Sequence, residues 1–160
     1  MTSLNYILHS LHGINNWLAL FAGIWTMGLV LPGLVSKRDF SSGEGRFVAV
    51  FTGTIYLQGL LGMALFLVMR TQGLLPFAGR SAVQGAHIGA GIVAAIFGTL
   101  AIILCQRLRT NRAKYLAAAV LCGLALLMLG HLLAMLALLA LLLLIQFAIS
   151  KVRGRRSQVA

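Results

Sequence analysis

Acidic residues are almost absent from this sequence of 160 residues, in which Asp39 and Glu44 are the only two carboxylates. Most glycoside hydrolases work with a pair of carboxyl groups, so that chemistry is excluded unless these two residues supply it. Charged residues of both signs make up only 9% of the chain, whereas soluble domains average about 25%. The composition therefore excludes an ordinary soluble domain.

Cysteine is also scarce, with two residues in the chain. Cys105 and Cys122 stand in apolar sequence and belong to no CxxC or CxxCH pattern. This excludes a zinc ribbon, a redox dithiol and covalent c-type haem attachment. We interpret the two cysteines as structural thiols.

Long apolar runs dominate the chain, which is 60% hydrophobic and has a mean hydropathy of +0.97. A helix needs about 20 apolar residues to cross a bilayer, and no charged residue falls inside the runs. The sequence therefore predicts an all-α transmembrane helical bundle in contact with lipid, and the missing intramembrane charges disfavour an ion-coupled transporter. The predicted spans are Trp17–Val35, Phe47–Met69, Val83–Cys105 and a fourth run, Tyr115–Ser150.

The fourth run is too long for one span, because a single helix over it would measure about 54 Å against a hydrocarbon core of about 30 Å. Either that helix protrudes far from the bilayer, or it breaks near Gly130 and His131. We favour the break, which gives a four-helix core in residues 1–131 and a fifth apolar helix with a basic tail in residues 132–160.

The basic residues support five spans. With five, 11 of the 13 lysines and arginines share one side, and Arg70 and Arg80 lie opposite; with four, the charge bias disappears. Since cytoplasmic loops are enriched in lysine and arginine, we expect an outside N-terminus and a cytoplasmic C-terminus in a bacterial cytoplasmic membrane. The net charge of +11 is then a topology signal, and no nucleic-acid partner is predicted.

Polar side chains inside the runs are the candidates for function. The four histidines, His9, His12, His87 and His131, all fall toward the predicted outer face. Tyr56 and Gln58 lie in the middle of the second run, where each must find a hydrogen bond. Gln58 could serve a quinone or a histidine, and a bond between helices is the simpler account.

Two helical stripes accompany the histidines. Their small residues have two open interpretations: close helix packing, or a slot for a flat macrocycle beside an axial histidine. One stripe joins His87 to Gly91, Ala94 and Gly98, and the other joins His12 to Asn16, Ala19, Gly23 and Met27.

Three short segments carry a family resemblance. The segment LHGINNW at residues 11–17 resembles the start of helix 1 in small bacterial four-helix membrane proteins of the b-type-cytochrome-like kind, where a histidine is followed five residues later by tryptophan. The segment QGLLG at residues 58–62 is similar to that family's helix 2, and His87 is similar to its histidine at the start of helix 3. The resemblance implies a b-type haem or an association with electron transfer.

The resemblance has two departures. Tyr56 stands where the family often has a histidine, so a haem ligand from helix 2 would be missing. The chain also continues through residues 132–160, beyond the family's usual end. The matched region covers roughly residues 8–130.

Two functions follow as hypotheses. The first is an electron-transfer protein with one b-type haem near the outer face, associated with quinol oxidation or a redox complex. It has His12 and His87 as axial ligands, and Asn16, Gly91 and His131 as further cofactor-binding residues. The second is a non-catalytic accessory subunit of a larger respiratory or photosynthetic complex, docked through the C-terminal helix, where a chlorophyll-type pigment could replace haem. Hydrolysis of lipid or peptide is disfavoured, because no HExxH motif or Ser-His-Asp set is present.

Overall fold

The described part of the chain, residues 3–36 and 38–130 of a computed structural model, is helical and contains no strand. Four of its helices are long and apolar enough to cross a membrane, which confirms the all-α prediction and indicates a multi-pass membrane protein. His131, the predicted fifth helix and the tail lie outside the described residues. The helices are α1 (Ser3–Ser36), α2 (Ser42–Thr71), α3 (Ser81–Arg107) and α4 (Asn111–Met128), with a short 3-10 turn at Pro76–Gly79 before α3.

The four helices form an up-and-down bundle. Each helix packs on the next along the chain, and α4 returns to pack on α1. This closed order places α1 and α3 diagonally across the bundle with the same direction. Their N-terminal parts, which carry His12 and His87, therefore lie at the same end.

Helix α1 begins earlier than the apolar run that identified it. It starts at Ser3 and has 34 residues, so the mixed stretch before Trp17 is helical as well. One side of α1 presents Trp17, Phe21 and Trp25 with 62–63% of their surface exposed, which suits contact with lipid. The opposite side enters the bundle and includes His12.

Both carboxylates of the chain stabilise the loop between α1 and α2 through hydrogen bonds and an ion pair. Glu44 is only 3% exposed and completes a capping box with Ser41 at the start of α2. It also pairs with Arg38 and accepts a hydrogen bond of 2.8 Å from the Tyr115 hydroxyl. Asp39 accepts a hydrogen bond from an asparagine of α4. These contacts give both carboxylates a structural role at this loop.

The apolar core lies toward the same end as this loop. Val30, Phe51, Tyr115 and Leu126 are fully buried there, with at most 1% of their surface exposed. Gly33 lets the Tyr115 ring approach α1 so closely that a Cβ at residue 33 would overlap it. Near the opposite end, which carries His12 and His87, hydrogen bonds from Asn15 join α1 to α2.

Helix α4 ends where the sequence predicts a break. The last helical residue is Met128, and Gly130 adopts the left-handed conformation at φ +80°. Its N–H donates to the carbonyl of Leu127 at 3.0 Å. Glycine is favoured at this position because a left-handed residue with a Cβ is strained.

Candidate cofactor site

His12 and His87 meet across the bundle. Their ring centroids lie 6.3 Å apart and the ring planes are inclined by 65°. His12 is half-buried, and His87 lies on an exposed part of α3. Gly62 of α2 makes room for the His12 ring, since a Cβ there would lie 3.1 Å from its Cε1 atom. The structure therefore brings together the two histidines that the sequence singled out.

A chain of hydrogen bonds from α2 sets the protonation of His12. The Nδ2 atom of Asn15 donates to the backbone carbonyl of Thr54 at 2.9 Å and to Oε1 of Gln58 at 2.8 Å. Because the carbonyl can only accept, it identifies Nδ2 of Asn15 as the nitrogen and the facing atom of Gln58 as its oxygen. Nε2 of Gln58 then lies 3.2 Å from Nε2 of His12. An amide nitrogen only donates, so His12 accepts at Nε2 and carries its proton on Nδ1.

Four buried side-chain atoms in the described residues have no hydrogen-bond partner, and all four belong to α1. They are Nδ2 and Oδ1 of Asn5, Nδ1 of His12 and Oδ1 of Asn15. Residues 5, 12 and 15 lie on one side of a helix. Buried polar groups normally have partners, so this side of α1 has unused hydrogen-bonding capacity next to His12.

The loop between α2 and α3 places an aromatic ring on His87. The ring centroids of Phe77 and His87 are 5.3 Å apart. Phe77 and Ala78 both have left-handed backbones, at φ 55° and 52°, a conformation that costs about 1–2 kcal/mol for each L-residue. Such strain concentrates at functional sites. Phe77 lies between the second and third apolar runs, among Gly73, Pro76 and Gly79. The sequence singled out no functional residue in this loop, so Phe77 was missed.

The glycine stripe on α3 divides into two parts. A Cβ at Gly98 would lie 2.9 Å from the Thr52 side chain, so Gly98 is a packing residue between α2 and α3. A Cβ at Gly91 would have no neighbour within 4 Å. Since Gly91 lies one turn beyond His87, the open part of the stripe adjoins the histidine pair.

Asn15, and not Asn16, supplies the hydrogen bonds to α2. Asn16 is half-buried, whereas Asn15 is 3% exposed. The buried positions of α1 continue from Asn15 through Ala19 and Gly23, so helical spacing alone contained a signal for Asn15. The fifth predicted cofactor residue, His131, lies outside the described residues.

The two polar residues predicted to bond within the bundle both do so. Gln58 joins the network described above, and the Tyr56 hydroxyl lies 2.5 Å from the Thr99 hydroxyl on α3. Gln58 therefore contacts both Asn15 and His12 of α1. Tyr56 bonds to α3 and takes no part in the histidine pair.

The described residues contain no group of three or more His, Cys, Asp or Glu side chains placed to hold a metal ion. Two histidines alone would leave a tetrahedral zinc site incomplete. Haem iron needs only axial ligands from the protein, because the macrocycle supplies the rest. The donor set thus suits a haem better than a bare ion.

Comparison with known proteins adds no relative. No protein-family model matches the chain, and neither the curated proteins nor the solved structures contain a significant match.

Proposed function

We propose that this chain is an integral membrane electron-transfer protein that holds one b-type haem, with His12 and His87 as axial ligands. The observation that carries the proposal is the 6.3 Å separation of the two imidazole rings. A metal–nitrogen bond to histidine is about 2.0–2.1 Å and the nitrogen lies about 1 Å from its ring centre, so two imidazoles on opposite sides of one ion have centres about 6 Å apart. The spacing fits.

The protonation of His12 supports the same assignment. Its Nε2 lone pair faces the Gln58 amide at 3.2 Å, so a metal bound at Nε2 would replace this one hydrogen bond. Nδ1 keeps its proton, as is usual when histidine ligates through the other nitrogen. Asn15 and Gln58 thus hold His12 in the tautomer that an iron ligand needs.

Space beside the histidines also supports it. Gly91 and Gly59 have no atom within 4 Å of an added Cβ, so the helix surfaces near His87 and Gln58 carry open positions for a flat macrocycle. Asn16 and His131 stay proposed contacts of the cofactor. When bound, haem would supply a one-electron carrier, and His12 and His87 would supply the nitrogens that hold it.

Loop charges support an outer location for this site. The end of the bundle opposite the histidines carries most of the basic residues of the loops, whereas Arg70 and Arg80 are the basic residues near the histidine end. The positive-inside rule places that basic end in the cytoplasm. The proposed direction of transfer is from a membrane quinol to an acceptor outside the cytoplasmic membrane.

The absorption spectrum of the purified protein tests the proposal. We expect a reduced-minus-oxidised spectrum with the α-band of a b-type haem, and its loss in His12→Ala and His87→Ala. His9→Ala is the matched control, because His9 is an exposed histidine on the same helix, and it should keep the spectrum. A protein without the band, a chlorophyll-type pigment in the extract, or a band unaffected by both substitutions would refute the assignment.

The accessory-subunit hypothesis depends on residues 132–160. Its docking element is the C-terminal helix, which lies outside the described residues. No contact within residues 3–36 and 38–130 favours it over the redox assignment.

A further inference from the structure

We propose that His12 and Asn15 form a binding site for a single neutral hydroxyl group. Nδ1 of His12 and Oδ1 of Asn15 are both buried without a hydrogen-bond partner. The two residues are three apart on α1, so their side chains are neighbours on the helix surface. One atom donates and the other accepts, and a hydroxyl oxygen can satisfy both at once.

The hydrogen bonds to α2 establish which atom donates. Asn15 uses both hydrogens of Nδ2, on the Thr54 carbonyl and on Gln58, so its free Oδ1 is an acceptor. Gln58 donates to Nε2 of His12, so the free Nδ1–H is a donor. A carbonyl ligand would satisfy His12 alone, and an ammonium group would satisfy Asn15 alone. A neutral O–H group is therefore the chemistry that completes the pair.

Asn5 extends this polar surface toward the end of the bundle. Its side chain is fully buried and neither polar atom has a partner. It precedes His12 by seven residues on the same side of α1, a distance of about 10 Å along the helix. A second polar group on the same ligand could reach Asn5, whereas a single water bound by His12 and Asn15 could not.

The hydroxyl has two sources that Asn5 can distinguish. One is a buried water, which needs two or more polar partners. The other is a quinol, whose second hydroxyl would extend from His12 toward Asn5. A quinol here would be the electron donor, and that role rests on the proposed function. The hydroxyl site itself rests on the hydrogen bonds between α1 and α2.

Nuclear magnetic resonance of ¹⁵N-histidine-labelled, haem-free protein in lipid nanodiscs tests this site, with His12→Gln for assignment. We expect the His12 proton on Nδ1 and magnetisation transfer to it from a hydroxyl proton. If the source is water, the transfer occurs without quinol, survives Asn5→Leu and is lost in Asn15→Leu. If the source is quinol, the transfer appears on adding decylubiquinol and is lost in both variants. Either pattern supports the site.

The control is Gln106→Leu, an amide removed from an exposed position at the far end of α3, which should leave the His12 signal unchanged. Circular dichroism verifies that each variant folds. A proton on Nε2, an Nδ1–H without transfer from water or decylubiquinol, or a transfer that survives Asn15→Leu would overturn the inference. Because the protein carries no haem in this experiment, failure of the haem assignment would be seen separately, in the absorption spectrum.

Discussion

Gly91 and Gly98 lie on the same stripe of α3, seven residues apart, and their surroundings differ. We predict that an identical substitution, glycine to leucine, separates the two roles that the stripe combines. Gly98→Leu should loosen the bundle, and Gly91→Leu should leave the bundle intact while blocking the cofactor. The pair thus tests the packing and slot interpretations with a matched control on one helix.

The magnitudes follow from the contacts. A Cβ at residue 98 would lie 2.9 Å from both Cγ2 and Oγ1 of Thr52, and Thr52 is held by a hydrogen bond to the Val48 carbonyl. Overpacking of this kind costs about 1–3 kcal/mol, partly offset by about 0.8–1 kcal/mol that glycine replacement gains in a helix. At Gly91 only the gain in helix stability applies, because no atom lies within 4 Å of the added Cβ.

Thermal unfolding in detergent and the haem-to-protein absorbance ratio measure the two effects. We expect Gly98→Leu to lower the midpoint temperature and Gly91→Leu to keep or raise it. The haem ratio should fall in Gly91→Leu, whose side chain occupies the open space. A Gly91→Leu protein with full haem content would refute the slot. Equal midpoints for the two variants would refute the division of the stripe.

Three further predictions concern the fold and its orientation. Glu44→Gln should lower the free energy of unfolding by about 1–3 kcal/mol, because charged hydrogen bonds to a buried group are lost; an unchanged midpoint temperature would contradict the role of the capping carboxylate. Tyr115→Phe should cost less, about 1 kcal/mol, since Glu44 keeps its contacts with Ser41, and the reverse order in the same melts would count against this ranking. A membrane-impermeant thiol reagent should label Thr71→Cys in intact cells and Arg109→Cys only after lysis, because the proposed orientation places residue 71 outside and residue 109 in the cytoplasm. The native cysteines are buried and should not react. The opposite pattern would invert the proposed orientation.

The helices could be predicted from sequence because each contains a long apolar segment with no charged residue inside it. The break at Gly130 was also accessible, since this glycine lies near the middle of a run that is too long for one span. The start of α1 was not, because the stretch before Trp17 mixes polar and apolar residues and lacks a clear boundary. In the folded bundle this stretch is nevertheless helical back to Ser3.

The histidine pair and Gln58 were predictable, whereas Asn15 and Phe77 were not singled out. His12 and His87 stood out as histidines at similar depth on parallel spans. Asn15 was overlooked in favour of Asn16, because a shift of one residue rotates a side chain by about 100° around the helix. Phe77 was overlooked because its position depends on a left-handed loop that no local pattern predicts.

Apolar length was sufficient to predict the four helices, because a bilayer admits few ways to satisfy a backbone. The fifth span that the distribution of charge predicts lies outside the described residues. Neither apolar length nor the distribution of charge determines how each helix is rotated or how far apart atoms on different helices lie. The folded bundle was needed to show that two histidines approach to 6.3 Å, that Gly98 packs while Gly91 stays open, and that a backbone carbonyl of α2 determines, through two amides, which nitrogen of His12 carries the proton.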